Sequence, residues 1–330
     1  MIRPLIYGAG TALLVLVAGC GDSSSPAADD PAEQEEQASA KPEIDDPAVD
    51  AAALREVDPC ALLDAGTLGR LGTVAPDSHS SAEWGECSVD VQDAEGGTVE
   101  LVLRVGDQLI LADDPAKELS GLPLVVDGDD GPQQCWVSVL TSYETSLGIS
   151  FQVDYADGDA CAAGRTALTG VVRELRDTPP RYREVPDTSV LAADPCAAPD
   201  RKAVETALGQ ETFVEPKDLH ACDFWSGDGT SYPQVSVRFY KGLPPDAEDG
   251  APVDLGGGLS AVQTEEEDIV LSCDVSWRRV ETPTEDEADG YGELVSVMYS
   301  DDTESGLDTS VACEKAAEVA RTVAPSLDRA

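Results

Sequence analysis

Apolar and polar residues alternate along several short stretches of this chain, which is the pattern of β-strands with one buried face. The alternation predicts strands over residues 87–91, 99–105, 135–139 and 149–155. Helical spacing of apolar residues predicts a helix on each side of this block. The first begins at Asp58-Pro59, because Asp favours the N-cap and Pro the first helical position, and it ends near Gly72. The second runs from Asp159 to Leu175.

The same order of patterns begins again at Asp194. Asp194-Pro195-Cys196-Ala197 repeats Asp58-Pro59-Cys60-Ala61. Strands are then predicted from residue 222 and over 235–239, 273–276 and 295–299, followed by a closing helix from Cys313 to Val323. Matched motifs in a fixed order indicate a tandem repeat.

Cysteine spacing supports the repeat. The cysteines of the first copy are 27, 48 and 26 residues apart, and those of the second are 26, 51 and 40 apart. We assign the excess of 14 in the last interval to a longer hairpin loop around residues 284–290. Each copy contains a helix, two strands, an irregular stretch, two strands and a helix. We therefore expect an α+β fold of two tandem domains, each a disulfide-stabilised antiparallel sheet with helices on one face.

The N-terminus follows a different pattern. Arg3 precedes an apolar run from Leu5 to Ala18, with small residues before Cys20, as in a secretory signal. Val17-Ala18-Gly19-Cys20 resembles the lipobox of bacterial lipoproteins. The resemblance implies that Cys20 is acylated, for example with palmitate, and becomes the first residue of the mature protein. An uncleaved anchor is the alternative, but the 14-residue run is shorter than the roughly 20 residues that span a bilayer.

These features divide the chain into five predicted segments. They are the lipoprotein signal peptide 1–19, a disordered acidic tether 20–56, the first repeat 57–178, a linker 179–189 and the second repeat 190–330. The tether has few large apolar residues and cannot form a core, although a short helix is expected at residues 51–54. We expect proteases to cut the tether and the linker first and to leave two resistant fragments.

Net charge limits the possible partners. The chain has 65 Asp and Glu against 21 Lys and Arg, a formal net charge of −44, which becomes −45 when Arg3 leaves with the signal peptide. Such a field repels nucleic acid and anionic lipid surfaces. Neither is expected as a partner, and lipid on Cys20 provides the expected attachment to the extracytoplasmic face of the cell membrane. Solubility outside the cell explains the acidity most simply; attraction of cations or of a basic partner is the alternative.

Nine cysteines in an exported chain leave one unpaired, and lipidation of Cys20 accounts for it. The other eight are expected to pair within repeats, as Cys60–Cys87, Cys135–Cys161, Cys196–Cys222 and Cys273–Cys313. Pairing neighbours keeps each bridge inside one helix-to-strand contact and tolerates the longer loop. The alternative joins the first cysteine of each repeat to the fourth and the second to the third. The spacing does not fit a structural zinc site.

Motifs of catalysis are absent from the sequence. It contains no G-x-S-x-G, S-x-x-K, P-loop or dinucleotide-binding fingerprint, so no catalytic residue, cofactor or metal ligand is assigned. His79 and His220 lie eight and two residues before the second cysteine of their repeats. We expect both to be solvated loop residues; a shared site at equivalent loops is the alternative.

Acidic stretches and tryptophans are two further candidate site features. Oxygen-rich stretches at residues 127–131, 154–159 and 300–304 do not follow the EF-hand pattern, so a calcium site is not expected. Four tryptophans lie within three or four residues of a cysteine. We expect three of them to pack on disulfides or core and one to face a ligand groove; they are Trp84, Trp136, Trp225 and Trp277.

The lipobox, the acidic tether and the Asp-Pro-Cys motif with a second cysteine 27 residues later resemble the uncharacterised exported lipoproteins of actinobacteria. Their domain has no assigned function, and two copies in one chain depart from the single-domain form. The resemblance implies no reaction. We expect a non-catalytic, membrane-anchored lipoprotein that binds a protein or small molecule of unknown identity. A hydrolase of envelope polymers and a structural spacer are the alternatives.

Overall fold

The computed structural model describes residues 43–110, 115, 117–127, 133–227, 232–245, 248, 250–267, 270–281, 291–302 and 305–328. All of these belong to one compact unit, residues 41–330. The signal peptide, Cys20, most of the tether and the 284–290 loop lie outside the described residues, as do parts of the oxygen-rich stretches at 127–131 and 300–304. No helix in the described part is long and apolar enough to cross a membrane.

The first repeat forms a seven-stranded antiparallel sheet with the order β1-β2-β3-β7-β6-β5-β4. Its strands are β1 (Thr73–Val74), β2 (Glu86–Gln92), β3 (Thr98–Gln108), β4 (Lys117–Leu119), β5 (Leu122–Asp127), β6 (Gln134–Leu140) and β7 (Leu147–Asp154). The predicted strands correspond to β2, β3, β6 and β7, which form the middle of the sheet.

The second repeat forms another seven-stranded antiparallel sheet, with the order β11-β12-β13-β14-β10-β9-β8. Its strands are β8 (Thr212–Pro216), β9 (Ala221–Ser226), β10 (Gln234–Gly242), β11 (Ala251–Gly256), β12 (Leu259–Glu267), β13 (Val270–Glu281) and β14 (Gly292–Asp302). Read from the other edge, this order matches the first sheet strand for strand. The shared topology supports a tandem duplication.

The irregular stretches expected in the middle of each repeat contain a hairpin instead. β4 pairs with β5 in the first repeat, and β11 pairs with β12 in the second. Each hairpin adds two strands at one edge of its sheet, and β1 or β8 adds a third at the other edge, so the sheets have seven strands and not four. Edge strands are short and partly solvated, so their apolar alternation is weak.

Six helices accompany the sheets in the described part. They are α1 (Ala51–Leu54), α2 (Pro59–Leu62), α3 (Ala65–Leu68), α4 (Ala160–Asp177), α5 (Arg201–Leu208) and α6 (Thr309–Ser326). The single helix predicted from Asp58 to Gly72 is wrong: it breaks at Leu63, where ψ is 44°. Asp58 caps α2, but Asp64 then caps a second helical turn by accepting the Thr67 amide at 2.9 Å. In the second repeat Cys196 lies in a turn, and the helix begins five residues later at Arg201.

Each sheet contributes alternate residues to its own apolar core. In the first, Val89, Leu101 and Phe151 are buried with Leu168 and Val172 of α4. In the second, β-strand residues pack with the apolar side of α6. Mostly β structure with a few helices is therefore the architecture of both repeats.

The four disulfides join the cysteines in the predicted pairs, with Cα atoms 5.0 to 5.2 Å apart. Cys87, Cys135, Cys222 and Cys273 lie on strands and are buried. Three of their partners, Cys60, Cys161 and Cys313, lie on helices, and Cys196 lies in a turn. Each bridge therefore fixes one helix or turn to the core face of a sheet.

Packing begins before the predicted end of the tether at residue 56. Val49 and Leu54 are buried in the first core, and Ile44 packs against it. α1 lies where a short helix was expected. The last part of the predicted tether thus belongs to the folded unit, because two apolar residues there find places in the core.

Candidate functional site

A cleft of about 570 Å³ is lined by residues of both repeats. From the first repeat it receives the Glu83–Glu86 segment and the end of β3; from the second it receives the Asp218–Ala221 segment and parts of β10, β13 and β14. A smaller cavity of about 300 Å³ shares Asp218 and Leu219 with the cleft. The loop between β8 and β9 therefore lies at the centre of the candidate site.

That loop is held by an apolar contact between the repeats. Leu219 belongs to the second repeat by sequence but is buried in the core of the first. It packs over Gly106, which has a φ of +79°; a Cβ atom there would lie only 2.1 Å from Leu219 Cγ. Glycine is required at 106 for both the left-handed backbone and the close approach of Leu219.

Polar contacts hold the same loop on both sides. Arg55 Nε donates to the Leu219 carbonyl at 3.0 Å, and its guanidinium pairs with Asp194 at 3.2 Å. Gln108 donates from its backbone to the Lys217 carbonyl and from its side chain to Glu215 at 2.8 Å. The 217–220 loop is thus positioned by residues before and within the first sheet.

His220 follows Leu219 and lies in the wall of the cleft. It is only 5% exposed, and its ring packs on Trp84 with centroids 5.1 Å apart. Neither ring nitrogen has a hydrogen-bond partner among the residues that the structure describes. Burial, together with the charge of Arg55, lowers the pKa of His220 to about 3, so the ring is neutral at physiological pH, with one N–H donor and one acceptor.

The expectation that both histidines are solvated is wrong for His220. His79 is exposed in the equivalent loop, with Nε2 3.0 Å from the Leu63 carbonyl, and it does not line the cleft. The two histidines therefore do not form a shared site. The aromatic contact with Trp84 comes from residues 136 positions apart, which the local polar pattern around His220 does not reveal.

Two arginines at equivalent positions face the cleft. Arg104 lies opposite Ser150, which pairs with Ser138; Arg238 lies opposite Ser296, which pairs with Ser276. Both side chains therefore point away from the apolar cores, from the same place in the two sheets. The duplication has placed a matching Arg-Ser-Ser row on the outer face of each.

The two arginines differ in their partners. Arg104 pairs with Glu86 at 2.8 Å and lies 5.3 Å from the ring centre of Trp136, yet its buried Nη1 atom has no hydrogen bond to any described residue. Arg238 is exposed and has no ion pair with any described residue. The first repeat thus contributes a buried guanidinium nitrogen without a described partner, and the second contributes an exposed guanidinium.

Carboxyl groups are concentrated in the same cleft. Burial raises the pKa of Asp218, of Asp107 and of Asp274. Partial desolvation followed by the nearby charges of Asp218 and Glu86 raises the pKa of Glu83. Ser296 donates to Asp274, which partly offsets its burial. Several carboxylates therefore carry incompletely compensated charge in a partly buried space.

One of the four tryptophans is buried, and the other three are partly or largely exposed. Trp277 is buried in the second core, and Trp225 donates to Glu215 at 3.0 Å. Trp136 is 42% exposed on the first sheet. Trp84 packs against the second core and lines the cleft. One tryptophan in a groove was expected, and Trp84 occupies that place, but Trp136 is more exposed than predicted.

No group of three or more His, Cys, Asp and Glu side chains suited to a metal ion occurs in the described part of the chain. The oxygen-rich stretch at 154–159 has a structural role at its end. Asp159 caps α4 by accepting the Ala162 amide at 2.8 Å.

No curated protein matches the chain. A crystal structure of MucB in complex with MucA(peri) aligns over 70% of this chain and 85% of that chain, at 13% identity and a TM-score of 0.14, which is too low to indicate a shared fold. A family model described as "Protein of unknown function (DUF3558)" matches residues 15–174, which include the complete first sheet. The match shows that this part of the chain carries a domain of an uncharacterised family.

Proposed function

We propose that this protein is a lipid-anchored, extracytoplasmic lipoprotein that binds a small ligand in the cleft between its repeats. The anchor rests on the signal-like N-terminus and Cys20. Binding rests on the cleft, whose volume of about 570 Å³ lies within the ordinary range for small-molecule sites. The protein is proposed to act without catalysis.

The observation that carries the binding proposal is the pair of unpartnered nitrogens on His220. A buried polar group without a hydrogen bond costs about 1–3 kcal/mol. The side chain is held there by Trp84 and by the anchoring of Leu219. A ligand that hydrogen-bonds to the imidazole would offset this cost, and His220 is one of the residues that line the cleft.

A thermal-shift panel tests the binding proposal. The full chain, purified in detergent micelles, is mixed with small amines, amino acids, sugars and organic phosphates. At least one class should raise the melting temperature of the wild type and of His79→Gln, but not of His220→Phe. His79→Gln is the matched control because His79 lies in the equivalent loop but outside the cleft. If no class shifts the wild type, the binding proposal is wrong and the spacer alternative is favoured.

Replacing Cys20 tests the anchor. Cys20→Ala should move the protein from the detergent phase to the aqueous phase, because no other membrane attachment is proposed. The purified repeats should remain folded, since the four disulfides use the other eight cysteines. A Cys20→Ala protein that stays in the detergent phase would contradict lipidation at this residue.

Hydrolysis of envelope polymers is the second candidate, and one observation favours it. Asp218 and Glu83 share the cleft. Burial, with a smaller contribution from the charge of Asp107, raises the pKa of Asp218, and partial desolvation together with the charge of Asp218 raises the pKa of Glu83; carboxyl groups with raised pKa values are typical of general acids and bases. Incubation of the full chain with purified peptidoglycan tests it. Release of soluble fragments by the wild type, abolished in Asp218→Asn, would favour this candidate over binding alone.

A further inference from the structure

Resting on the proposed binding function, we infer that the ligand of the cleft is a small organic cation with an ammonium or guanidinium group. The cleft combines an excess of carboxylates, aromatic faces and a neutral buried imidazole. Each of these groups can contact a different part of such a cation.

Charge in the cleft is the first argument. Five acidic residues line it, against two arginines; the acids are Glu83, Glu86, Asp107, Asp218 and Asp274. Glu86 is neutralised by Arg104 at 2.8 Å. Arg238 is the remaining arginine of the lining, and four carboxylates remain. A positively charged ligand would balance this excess.

The remaining carboxylates lack strong partners within the described part of the chain. Asp107 accepts a hydrogen bond from Ser150 at 3.3 Å, and Asp218 accepts one from the His220 amide at 2.6 Å. Neither forms an ion pair with a described Lys or Arg, and nor does Glu83. Desolvated carboxylates gain most from a cation that enters with its own hydrogen-bond donors.

Aromatic rings provide the second argument. Trp84 and Tyr240 are both half-buried in the lining. The face of an indole or phenol ring attracts ammonium and guanidinium groups within about 6 Å of its centre. Burial, with smaller contributions from the charges of Asp274 and Glu83, raises the pKa of Tyr240 to about 12, so its ring stays uncharged.

His220 provides the third and independent argument. Its acceptor nitrogen is buried in the wall and has no donor. An ammonium or guanidinium N–H is a donor that fits this acceptor, whereas an ionised carboxylate has no donor and would be repelled by the carboxylates of the lining. The described part of the cleft holds no metal-type cluster, and its volume exceeds that of a hydrated ion. An organic cation therefore fits better than a metal ion.

Calorimetric titration of the full chain in micelles tests the inference with spermidine and argininamide as probes. Magnesium chloride controls for charge alone, and glycerol phosphate represents anions. At least one organic cation should bind the wild type with 1:1 stoichiometry. Asp218→Asn and Glu83→Gln should each weaken binding by about tenfold, whereas Arg238→Gln should tighten it by about threefold because a competing charge is removed. Glu118→Gln, an exposed acid outside the cleft, should change nothing.

Glu83 is exposed, so Glu83→Gln keeps the test valid if Asp218→Asn fails to fold. The inference is overturned if neither probe binds, if Arg238→Gln weakens binding, or if Glu118→Gln weakens binding as much as the cleft variants do. Magnesium binding that is equally sensitive to Asp218→Asn would also overturn it. If anions or sugars bind and His220→Phe abolishes that binding, the proposed binding function survives and only the cationic ligand is wrong.

Discussion

His220 illustrates how one residue links packing to function. Its ring is neutral, buried and unpartnered, and it packs on Trp84 from the other repeat. The sequence predicted a solvated loop histidine because the spacing of His79 and His220 matches no ligand pattern. Its burial depends on Leu219 reaching the first core, a long-range contact that no local pattern encodes.

Replacing His220 by Phe should stabilise the free protein and remove ligand binding. Phe keeps an aromatic contact with Trp84 and has no polar atom to bury, so the free energy of unfolding should rise by about 1 kcal/mol. The cleft beside the ring leaves space for the larger side chain. Chemical denaturation measures the stability. A destabilised His220→Phe protein would show that an imidazole hydrogen bond exists in the free state.

The pH dependence of stability should follow from the lowered pKa of His220, about 3 against about 6.5 in the unfolded chain. Below pH 6.5 the unfolded chain binds a proton on His220 that the folded protein does not bind. The free energy of unfolding therefore has its full value above pH 6.5 and falls as the pH is lowered. Between pH 6.5 and 5 the wild type should lose about 1.5 kcal/mol more than His220→Phe. Arg55 is the charged group that adds to burial in lowering this pKa.

His79→Gln is the control for this pH series, because His79 is exposed and outside the cleft. It should follow the wild-type curve. If His79→Gln and not His220→Phe flattened the curve, the burial assigned to His220 would be wrong.

At the scale of elements, the sequence predicted the central strands, α4, α6 and all four disulfides. These depend on strong alternation and on helix-to-strand contacts close in sequence, as in Cys135–Cys161. It missed the edge hairpins β4–β5 and β11–β12, whose partly solvated faces weaken the alternation. It also merged α2 and α3, because the break at Leu63 depends on the second cap at Asp64.

The contact between β3 and the β8–β9 loop can be tested at Gly106. Gly106→Ala introduces strain at a φ of +79° and a clash with Leu219. Gly96→Ala has the same type of strain, with a φ of +90°, but no atom within 4 Å of its Cβ. Gly106→Ala should therefore lose about 2 kcal/mol more than Gly96→Ala in the free energy of unfolding.

A binding measurement distinguishes the loss of the Gly106–Leu219 contact from a general loss of stability. Gly106→Ala should also weaken binding in the cleft, because Leu219 positions the adjacent His220, whereas Gly96→Ala should bind as the wild type does. Equal stability losses for the two variants would show that Leu219 does not pack on Gly106.

At the scale of the whole molecule, the tandem repeat was predicted from motif and cysteine spacing, but the cleft was not. The cleft arises because the two sheets come together through Leu219, Trp84 and Arg55. The predicted linker also contacts the first repeat. Arg181 forms an isolated β-bridge with Val57, and the Tyr182 hydroxyl accepts a hydrogen bond from the Gly85 amide at 3.3 Å. Two repeats that fold alike can thus form a site that neither has alone.

Limited proteolysis should show this association. Residues 183–188 are exposed and should be cut early, as linkers usually are. The two resistant fragments should nevertheless elute together in size-exclusion chromatography, since Leu219 stays in the first core, and should separate only in denaturant. Fragments that elute separately under native conditions would show that the repeats are independent and that no cleft persists between them.

The most direct test of the cleft is nuclear magnetic resonance of the imidazole nitrogens in ¹⁵N-histidine-labelled full chain. The chain has two histidines, so His79→Gln assigns both. The ring of His220 should stay neutral from pH 5 to 8, and its nitrogen signals should shift on titration with spermidine or argininamide while those of His79 remain fixed. Contradiction would come from a His220 ring that takes up a proton near pH 6.5 and does not respond to either cation.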